Sequence, residues 1–356
     1  MNFDYHQSPS RKILLSIHSH SVRFLVVIAG PKQKHLFYME MAKLLGAGFD
    51  IRRAAGVMGN TNLPPAQVLL LKDLNQGLES GESISDAFSR DSRAISGLER
   101  SMIAAGERGG KLAPAFQHLA DYFGMVASVR REIVKGMVYP LIVLHLGIFI
   151  GNIPLSLTGE PLTAAQVAGG FFTSLLILYI SAAVLFFIGR IVLKKSTQNP
   201  ALDYALNRIP WIGSARRNMA MARFCKVYHA CLLASISMVE TVRVSAESSQ
   251  AGMIRRAGKR IAAVAAEGNP LGPQFLAEDA FPTEFSRTYA TGEEAGTLDT
   301  DMGNWSRKFQ ENAESAMKMA AVMVPKILYF LIMAYVAWKI IGFFTGYYAG
   351  LDSIGE

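Results

Sequence analysis

The stretch that decides the fold is Gly106–Leu112, GERGGKL, which recurs in partial form as Gly292–Leu298, GEEAGTL. Glycine, glutamate, glycine and leucine return at equal spacing, which is typical of a duplicated domain. Upstream of the motif, the matched pairs lie 187 residues apart: Phe37 with Phe224, Ala47 with Ala234, Gly81 with Gly268, and Phe88 with Phe275. From the motif onward, the pairs Gly106 with Gly292, Leu112 with Leu298, and Phe123 with Phe309 lie 186 residues apart. The sequence therefore predicts two copies of one domain that differ by one inserted or deleted residue.

The pattern inside each copy is helical. Apolar residues recur every three to four positions from Phe37 onward, and Pro64 and Pro65 open a second amphipathic run from Ala66 to Leu78. Ser83 has the position of an N-cap for the short run that follows. No strand-like alternation is present, so residues 31–127 and 194–314 are each predicted to form a helical bundle.

Composition indicates a membrane protein, with 51% hydrophobic and 18% charged residues. Three segments are nearly free of charge and long enough to cross a bilayer: 136–157, 169–193 and 320–344. Basic residues precede the first segment and follow the second, which by the positive-inside rule places both bundles and the N-terminus in the cytoplasm. The linker 158–168 and the tail 345–356 are then periplasmic. The predicted fold class is an all-α membrane protein with two homologous cytoplasmic helical bundles and three transmembrane helices.

The N-terminal arm, residues 1–30, ends in an apolar run too short to span a membrane and has no signal-peptide cleavage pattern. An interfacial helix or docking arm and a poorly ordered tail both remain open for it. The formal net charge is +8, with the basic residues clustered beside the apolar segments. This distribution favours membrane lipid as the partner rather than nucleic acid.

The glycine motifs are the candidate partner-binding sites, and two readings of them stay open. Glycine permits the left-handed backbone that ends a helix, and a glutamate beside a helix N-terminus can satisfy its free N–H groups. Alternatively, the tight turns form a surface for a partner or a second protomer. The first turn is more basic and the second more acidic, which predicts different roles for the two copies. The candidate residues are Gly106, Glu107, Gly109, Gly110, Leu112, Gly292, Glu293, Gly296 and Leu298.

Catalytic and cofactor motifs are absent from the sequence. Three residues separate the glycines of Gly106–Lys111 and five those of Gly252–Gly258, whereas a phosphate-binding loop requires four followed by Lys-Ser or Lys-Thr. The histidines lack metal-ligand spacing, and no hydrolase signature is present. The sequence predicts a protein that is not an enzyme and that binds no cofactor or metal.

His145, Lys326 and Lys339 are ionisable residues inside the first and third apolar segments. Lys326 is near the inner boundary and can extend to it, so His145 and Lys339 are the candidate intramembrane contacts. A charge at the bilayer centre costs about 2.5–3.5 kcal/mol on insertion scales, so such residues often have a functional partner. Lys339 can instead extend to the outer boundary, and His145 can stay neutral with a hydrogen bond to a neighbouring helix. The alternative hypothesis is that either residue meets an acidic group on a partner's membrane helix.

Four features together resemble the type II secretion system F-domain family. They are a Leu-Leu-x-Ala-Gly run at 44–48, a Gly-x-Ser-Ile run at 81–84, the duplicated Gly-Glu motif, and Tyr-Pro at the first span. The resemblance runs from about Phe37 to Phe344. The second copy departs from it, with Ala234-Ser235 in place of Ala47-Gly48. The short N-terminal region is similar to compact forms found in type IVb pilus systems.

The resemblance implies an inner-membrane platform protein of a type IV pilus or type II secretion system. Such a protein couples a cytoplasmic hexameric assembly ATPase to pilin or pseudopilin subunits, contacts other inner-membrane assembly proteins, and works as a homo-oligomer. Family pilins carry an acid near the start of their apolar helix, which gives His145 and Lys339 a candidate partner. A secondary transporter or channel, and a membrane receptor scaffold, are the alternatives. Three spans and no broken-helix substrate site argue against transport.

Overall fold

The computed structural model describes residues 30–61, 63–90, 95–151, 164–210 and 212–352. Over these ranges the chain forms α-helices and no strand, which confirms the all-α prediction. The N-terminal arm up to residue 29 and most of the predicted linker 158–168 lie outside the described residues. The helices are α1 Pro31–Gly46, α2 Ile51–Gly59, α3 Pro65–Glu79, α4 Ile84–Ser89, α5 Gly97–Arg108, α6 Leu112–Gly151, α7 Ala164–Ser196, α8 Pro200–Asn207, α9 Ile212–Leu233, α10 Met238–Ser248, α11 Gly252–Ala266, α12 Gly272–Ala277, α13 Thr283–Ala295 and α14 Leu298–Asp352.

The duplication predicted from the sequence is visible helix by helix, since α1–α6 correspond in order to α9–α14. Backbone geometry repeats as well. Gly81 and Gly268 have φ angles of 76° and 75°, in the left-handed region that glycine adopts without strain. Gly48 has φ 86°, and its counterpart Ser235 has φ 53° although it is not glycine. The turn after the first helix of each copy is thus conserved in shape where the sequence motif has degenerated.

The chain divides into two compact units, which we call unit one (Met1–Ala127 and Lys226–Ser237) and unit two (Ser128–Cys225 and Met238–Glu356). Unit one contains a buried aromatic cluster in which the rings of Phe37 and Phe88 lie 6.4 Å apart. Beneath it the buried Glu99 carboxylate accepts hydrogen bonds from Tyr38 Oη at 2.6 Å and Lys34 Nζ at 2.8 Å. Burial, together with the Glu99 carboxylate, raises the pKa of Tyr38 well above its ordinary value.

The core of unit two repeats the aromatic arrangement of unit one but has a phenylalanine where unit one has the buried carboxylate. The rings of Phe224 and Phe275 lie 6.3 Å apart, which reproduces the spacing between their counterparts Phe37 and Phe88. Phe285 takes the place of Glu99, so the core here is apolar and aromatic where the core of unit one holds an ion pair. The aromatic side chains that surround it are Phe281, Tyr289, Trp305 and Phe309.

Three helices, α6, α7 and α14, are long and apolar enough to cross a membrane, as the sequence predicts. Helix α6 has 40 residues and α14 has 55, and neither ends at the charged residues that precede its apolar part. The last bundle helix and the following span are therefore one element in each copy. Helix α14 extends to Asp352, beyond the predicted span 320–344. Large apolar side chains are exposed along the spans, such as Leu185 at 69% and Phe330 at 71%.

Proline and glycine shape the contact between the apolar parts of α6 and α14, both within unit two. A side chain at Gly136 would reach to 3.0 Å from Pro325 Cγ, so glycine lets the two helices approach closely at this point. The rings of Tyr139 and Tyr329 lie 5.6 Å apart beside it. Pro140 and Pro325 lie inside their helices, where each removes a backbone hydrogen bond.

Candidate partner-binding site

The first glycine turn joins α5 to α6 through a left-handed residue, Gly110, with φ 64°. The Lys111 N–H donates to the Gly106 carbonyl oxygen at 2.7 Å, which closes the end of α5. A side chain at Gly106 would reach to 2.6 Å from Ala115 Cβ, so a glycine is required for α6 to pack this closely. Leu112 is half-buried as the first residue of α6. These residues form a rigid helix-to-helix corner.

The Glu107 carboxylate has a partner within unit one. Its Oε1 accepts from the Ile84 N–H at 2.6 Å and its Oε2 from the Ser85 N–H at 3.0 Å. These are the first free N–H groups of α4, whose cap Ser83 accepts from the Asp86 N–H at 3.1 Å. The carboxylate therefore caps an earlier helix rather than α6, the helix that follows the turn. A charged acceptor at this helix end is favoured by both hydrogen bonding and the helix dipole.

The second glycine turn repeats this geometry in unit two. Gly296 has φ 72°, and the Thr297 N–H donates to the Gly292 carbonyl oxygen at 2.9 Å. The Glu293 carboxylate accepts from the N–H groups of Leu271 at 2.9 Å and Gly272 at 2.6 Å, at the start of α12. The two glutamates thus perform the same capping role in the two copies. Leu298 opens α14 and is half-buried, as Leu112 is at the start of α6.

The two turns differ in how much of their surface is free. In unit one, a side chain at Gly109 would reach to 2.8 Å from the Cα atom of Ala234, which lies directly over the turn. In unit two, the corresponding Ala295 and its neighbours Glu294, Gly296 and Thr297 are exposed. The structure therefore brings the predicted residues together as two separate corners. They differ at one position, because Gly109 is half-buried beneath Ala234 whereas Ala295 is exposed.

The predicted intramembrane residues lie on two different helices. His145 lies on α6 and hydrogen-bonds Tyr179 Oη of α7 through Nε2 at 2.6 Å. Its Nδ1 lies 2.7 Å from the Leu141 carbonyl oxygen, which only accepts, so Nδ1 carries a hydrogen. Both ring nitrogens of His145 therefore have a partner inside the chain. Lys339 lies on α14, and its side chain is outside the described part of the structure.

Sequence reasoning missed a buried cationic group in unit one. Lys226 is 5% exposed and donates to the His118 carbonyl oxygen at 3.4 Å, and the rings of His118 and His229 lie 6.5 Å apart. Burial lowers the pKa of Lys226 to about 8, partly offset by Asp121. Burial and the neighbouring Lys226 and His229 lower the pKa of His118 to about 4. Alignment of the two repeats could have indicated this buried lysine, because Lys226 lies at the position of the apolar Met39 in the first copy.

Among the residues that the structure describes, no group of three or more histidine, cysteine, aspartate or glutamate side chains is placed to hold a metal ion. Cys225 and Cys231 are both buried and are not joined in a disulfide.

Comparison with known proteins agrees with the duplication. A family model described as type II secretion system (T2SS), protein F, matches residues 37–157 and 224–349, one match on each copy. A type 4 fimbrial assembly protein PilC of Pseudomonas putida is 25% identical over 313 residues, which cover 82% of this chain and 77% of the relative. The type IV pilus assembly protein PilC of Thermus thermophilus is 24% identical over 332 residues, covering 87% and 81%.

A relative from a secretion system matches equally broadly. Type II secretion system protein F of Aeromonas hydrophila is 23% identical over 337 residues, covering 86% of this chain and 85% of the relative. The family match begins at residue 37 in one copy and 224 in the other, the positions at which Phe37 and Phe224 correspond. Because the matched segments cover more than half of the sequence and both helical repeats, the chain belongs to the type II secretion system protein F family.

Proposed function

We propose that this protein is an inner-membrane platform for assembly of a type IV pilus or of the pseudopilus of a type II secretion system. The family match over both copies carries the proposal. Relatives named for pilus assembly and for type II secretion match at similar identity, so the two machines are not distinguished. Three apolar helices support a multi-pass membrane protein.

Charge asymmetry supports an orientation with both bundles in the cytoplasm. Arg130, Arg131 and Lys135 precede the apolar part of α6, and Lys194 and Lys195 end α7. Basic residues beside short loops are retained on the cytoplasmic side. The proposed N-terminus is therefore cytoplasmic and the C-terminus periplasmic, which exposes the two bundles to a cytoplasmic ATPase.

Helix α14 supplies a physical route for coupling. Its first part packs in the core of unit two through Trp305 and Phe309, and its apolar part follows with no intervening loop, although Pro325 removes one backbone hydrogen bond there. At about 1.5 Å per residue, its 55 residues measure about 80 Å. A displacement that the ATPase imposes on the bundle would reach the membrane end without an intervening loop to absorb it. In this proposal, pilin helices lie beside the spans, where Lys339 and His145 are the candidate contacts for their acidic group.

The proposal is tested by deleting the gene and by purifying the tagged chain from membranes. We expect the deletion strain to lack surface filaments or secreted substrate, and the full-length chain to restore them. The tagged chain should co-purify the assembly ATPase and pilin from solubilised membranes. A tagged, unrelated membrane protein of similar abundance serves as the control for non-specific recovery.

Two results would overturn the platform function. One is normal filament assembly and secretion in the deletion strain. The other is solute flux through the purified chain in liposomes, without recovery of ATPase or pilin, which would favour a transporter. Filament loss with no recovery of the ATPase would retain the assembly role and remove the proposed coupling.

A further inference from the structure

In unit one, a segment of the second repeat contacts the glycine turn of the first repeat. This segment, Lys226–Ser237, which corresponds to the end of α1 in the repeat, packs over the first glycine turn. Ala234 lies against Gly109, and Lys226 Nζ reaches the His118 carbonyl oxygen at 3.4 Å. Beneath the segment, Ala105 and Ala115 are 1% and 4% exposed. The turn of the first copy is thus a receiving surface with the end of a helix seated on it.

The equivalent receiving surface of the second copy is open. Ala105, Gly109, Lys111 and Ala115 correspond to Thr291, Ala295, Thr297 and Asp301 at the constant separation of 186 residues. Thr291, Ala295 and Thr297 are exposed, and Asp301 is half-exposed. The backbone of the two surfaces is the same, because both turns have the same left-handed glycine and the same closing hydrogen bond. Ala105, Gly109 and Ala115 are thus more buried than their counterparts in unit two, whereas Lys111 and Thr297 are both exposed.

The equivalent docking element is also open. Ala230, Leu233 and Ala234 correspond to Lys43, Gly46 and Ala47 at the end of α1, 187 residues earlier, and all three of these residues are exposed. The end of α9 and the first glycine turn are therefore in contact within unit one. The equivalent surfaces, the end of α1 and the second glycine turn, are both exposed.

We propose that the end of α1 in one copy of the chain docks on the α13–α14 turn of a second copy and reproduces the contact seen within unit one. Charge favours this pairing, because residues 292–306 contain Glu293, Glu294, Asp299 and Asp301 and no lysine or arginine. Lys43 would lie beside Asp301, since their counterparts Ala230 and Ala115 line one small cavity in unit one.

The docked helix end must lie farther from this surface than it does in unit one, because the larger Thr291 and Asp301 replace the buried Ala105 and Ala115. Ala295 adds a methyl group where the first copy has Gly109, which moves the docked helix outward. Gly46 in place of Leu233 removes a larger side chain from the docking helix. Because the two surfaces differ, the contact is head-to-tail and would extend to a ring or an open series of copies. The inference deepens the proposed platform role by naming the surface of self-association.

Disulfide formation between two differently tagged full-length copies in native membranes tests the contact. One copy carries Ala47→Cys and the other Ala295→Cys, both at exposed positions, while the buried Cys225 and Cys231 are retained. A disulfide requires Cα atoms within about 7 Å. We expect mild oxidation to give a band that contains both tags. The matched control replaces Ala295→Cys with Glu284→Cys, an exposed position at the other end of α13, and should give no such band.

A charge exchange tests the contact through a second route. Lys43→Glu in the first copy should reduce the cross-linked band severalfold through repulsion from the acidic turn. Thr297→Lys in the second copy should restore it, and lysine is tolerated at this backbone position because Lys111 occupies it in the first turn.

Three outcomes would overturn the inference. They are equal cross-linking with Glu284→Cys, a band only when both cysteines are on one chain, and attachment of the Ala295→Cys copy only to a different protein. These assays measure self-association without requiring filaments. Cross-linking in a strain whose filament assembly does not depend on this chain would therefore retain the interface and overturn the proposed function alone.

Discussion

At the scale of single residues, Glu107 and Glu293 show that the duplicated motif has a role inside each copy. Each carboxylate accepts two backbone hydrogen bonds from the start of a short helix, α4 or α12. Substitution by alanine would leave two partly buried N–H groups without this acceptor. Hydrogen bonds to charged groups contribute about 1.5–3 kcal/mol each, less where solvent can replace the partner. We predict that Glu107→Ala and Glu293→Ala each lower the free energy of unfolding by about 2 kcal/mol.

Thermal unfolding of the purified full-length chain in detergent measures this effect. Glu294→Ala is the matched control, because Glu294 is adjacent to Glu293 and exposed, and surface substitutions usually change stability by less than about 0.5 kcal/mol. An unchanged unfolding temperature in Glu293→Ala, together with lost partner recovery, would show that the carboxylate acts on a partner instead.

Lys226 gives a second prediction, because its burial opposes its charge. Its pKa is about 8 in the folded protein and near 10.5 in the unfolded chain, so the unfolded chain binds more protons between these values. The free energy of unfolding therefore rises as the pH increases from 8 to 10.5. Below pH 8 the buried lysine is charged and destabilises the folded protein by its full amount. We predict that Lys226→Met is stabilised relative to wild type at pH 7, by up to about 3 kcal/mol, and that the difference narrows at pH 10.

Unfolding temperatures at pH 7 and pH 10 measure this difference. Lys72→Met is the control, since Lys72 is exposed on α3 and lies outside the proposed contact between copies. A Lys226→Met variant less stable than wild type at both pH values would show that the hydrogen bond to His118 outweighs the cost of burial.

At the scale of elements, local chemistry made the helices and turns predictable. Pro65 and Ser83 begin helices as expected, and Gly110 and Gly296 take the left-handed backbone that ends one. Each of these signals acts within a few residues of where it is read. The repeat was predictable for the same reason, since matched residues build matched helices.

Contacts between residues far apart in the chain could not be predicted from the sequence. The Glu107 carboxylate binds N–H groups 22 and 23 residues earlier, a pairing that only the folded bundle creates. The segment Lys226–Ser237 belongs by sequence to the second copy but packs in unit one, where Ala234 lies against Gly109. The sequence predicts the bundles and the spans as separate ranges and does not predict that one helix joins them. Arginine, lysine and glutamate are good helix formers, so α6 and α14 continue through the charged residues before their apolar parts.

At the scale of the whole molecule, duplication has produced two bundles of similar backbone whose last helices each continue toward the membrane. The polar core around Glu99 and the aromatic core around Phe285 show that the copies have diverged inside as well as at their turns. Divergence of this kind suits a platform that meets different partners with each copy. If α14 transmits a displacement from the bundle to the membrane, it must move as one rigid helix.

The continuity of α14 yields the last prediction. Ala316→Gly with Met317→Gly lies between the Trp305–Phe309 core contact and the apolar part of the helix, and each glycine lowers helix stability by about 1 kcal/mol. We expect the variant to insert normally and to unfold at a slightly lower temperature, but to assemble few filaments because the softened helix absorbs the displacement. The matched control, Lys259→Gly with Ala263→Gly on the exposed side of α11, has a similar stability cost away from α14 and should assemble normally. Equal filament counts in the two variants would contradict transmission through a rigid α14, because only stability would then separate either variant from wild type.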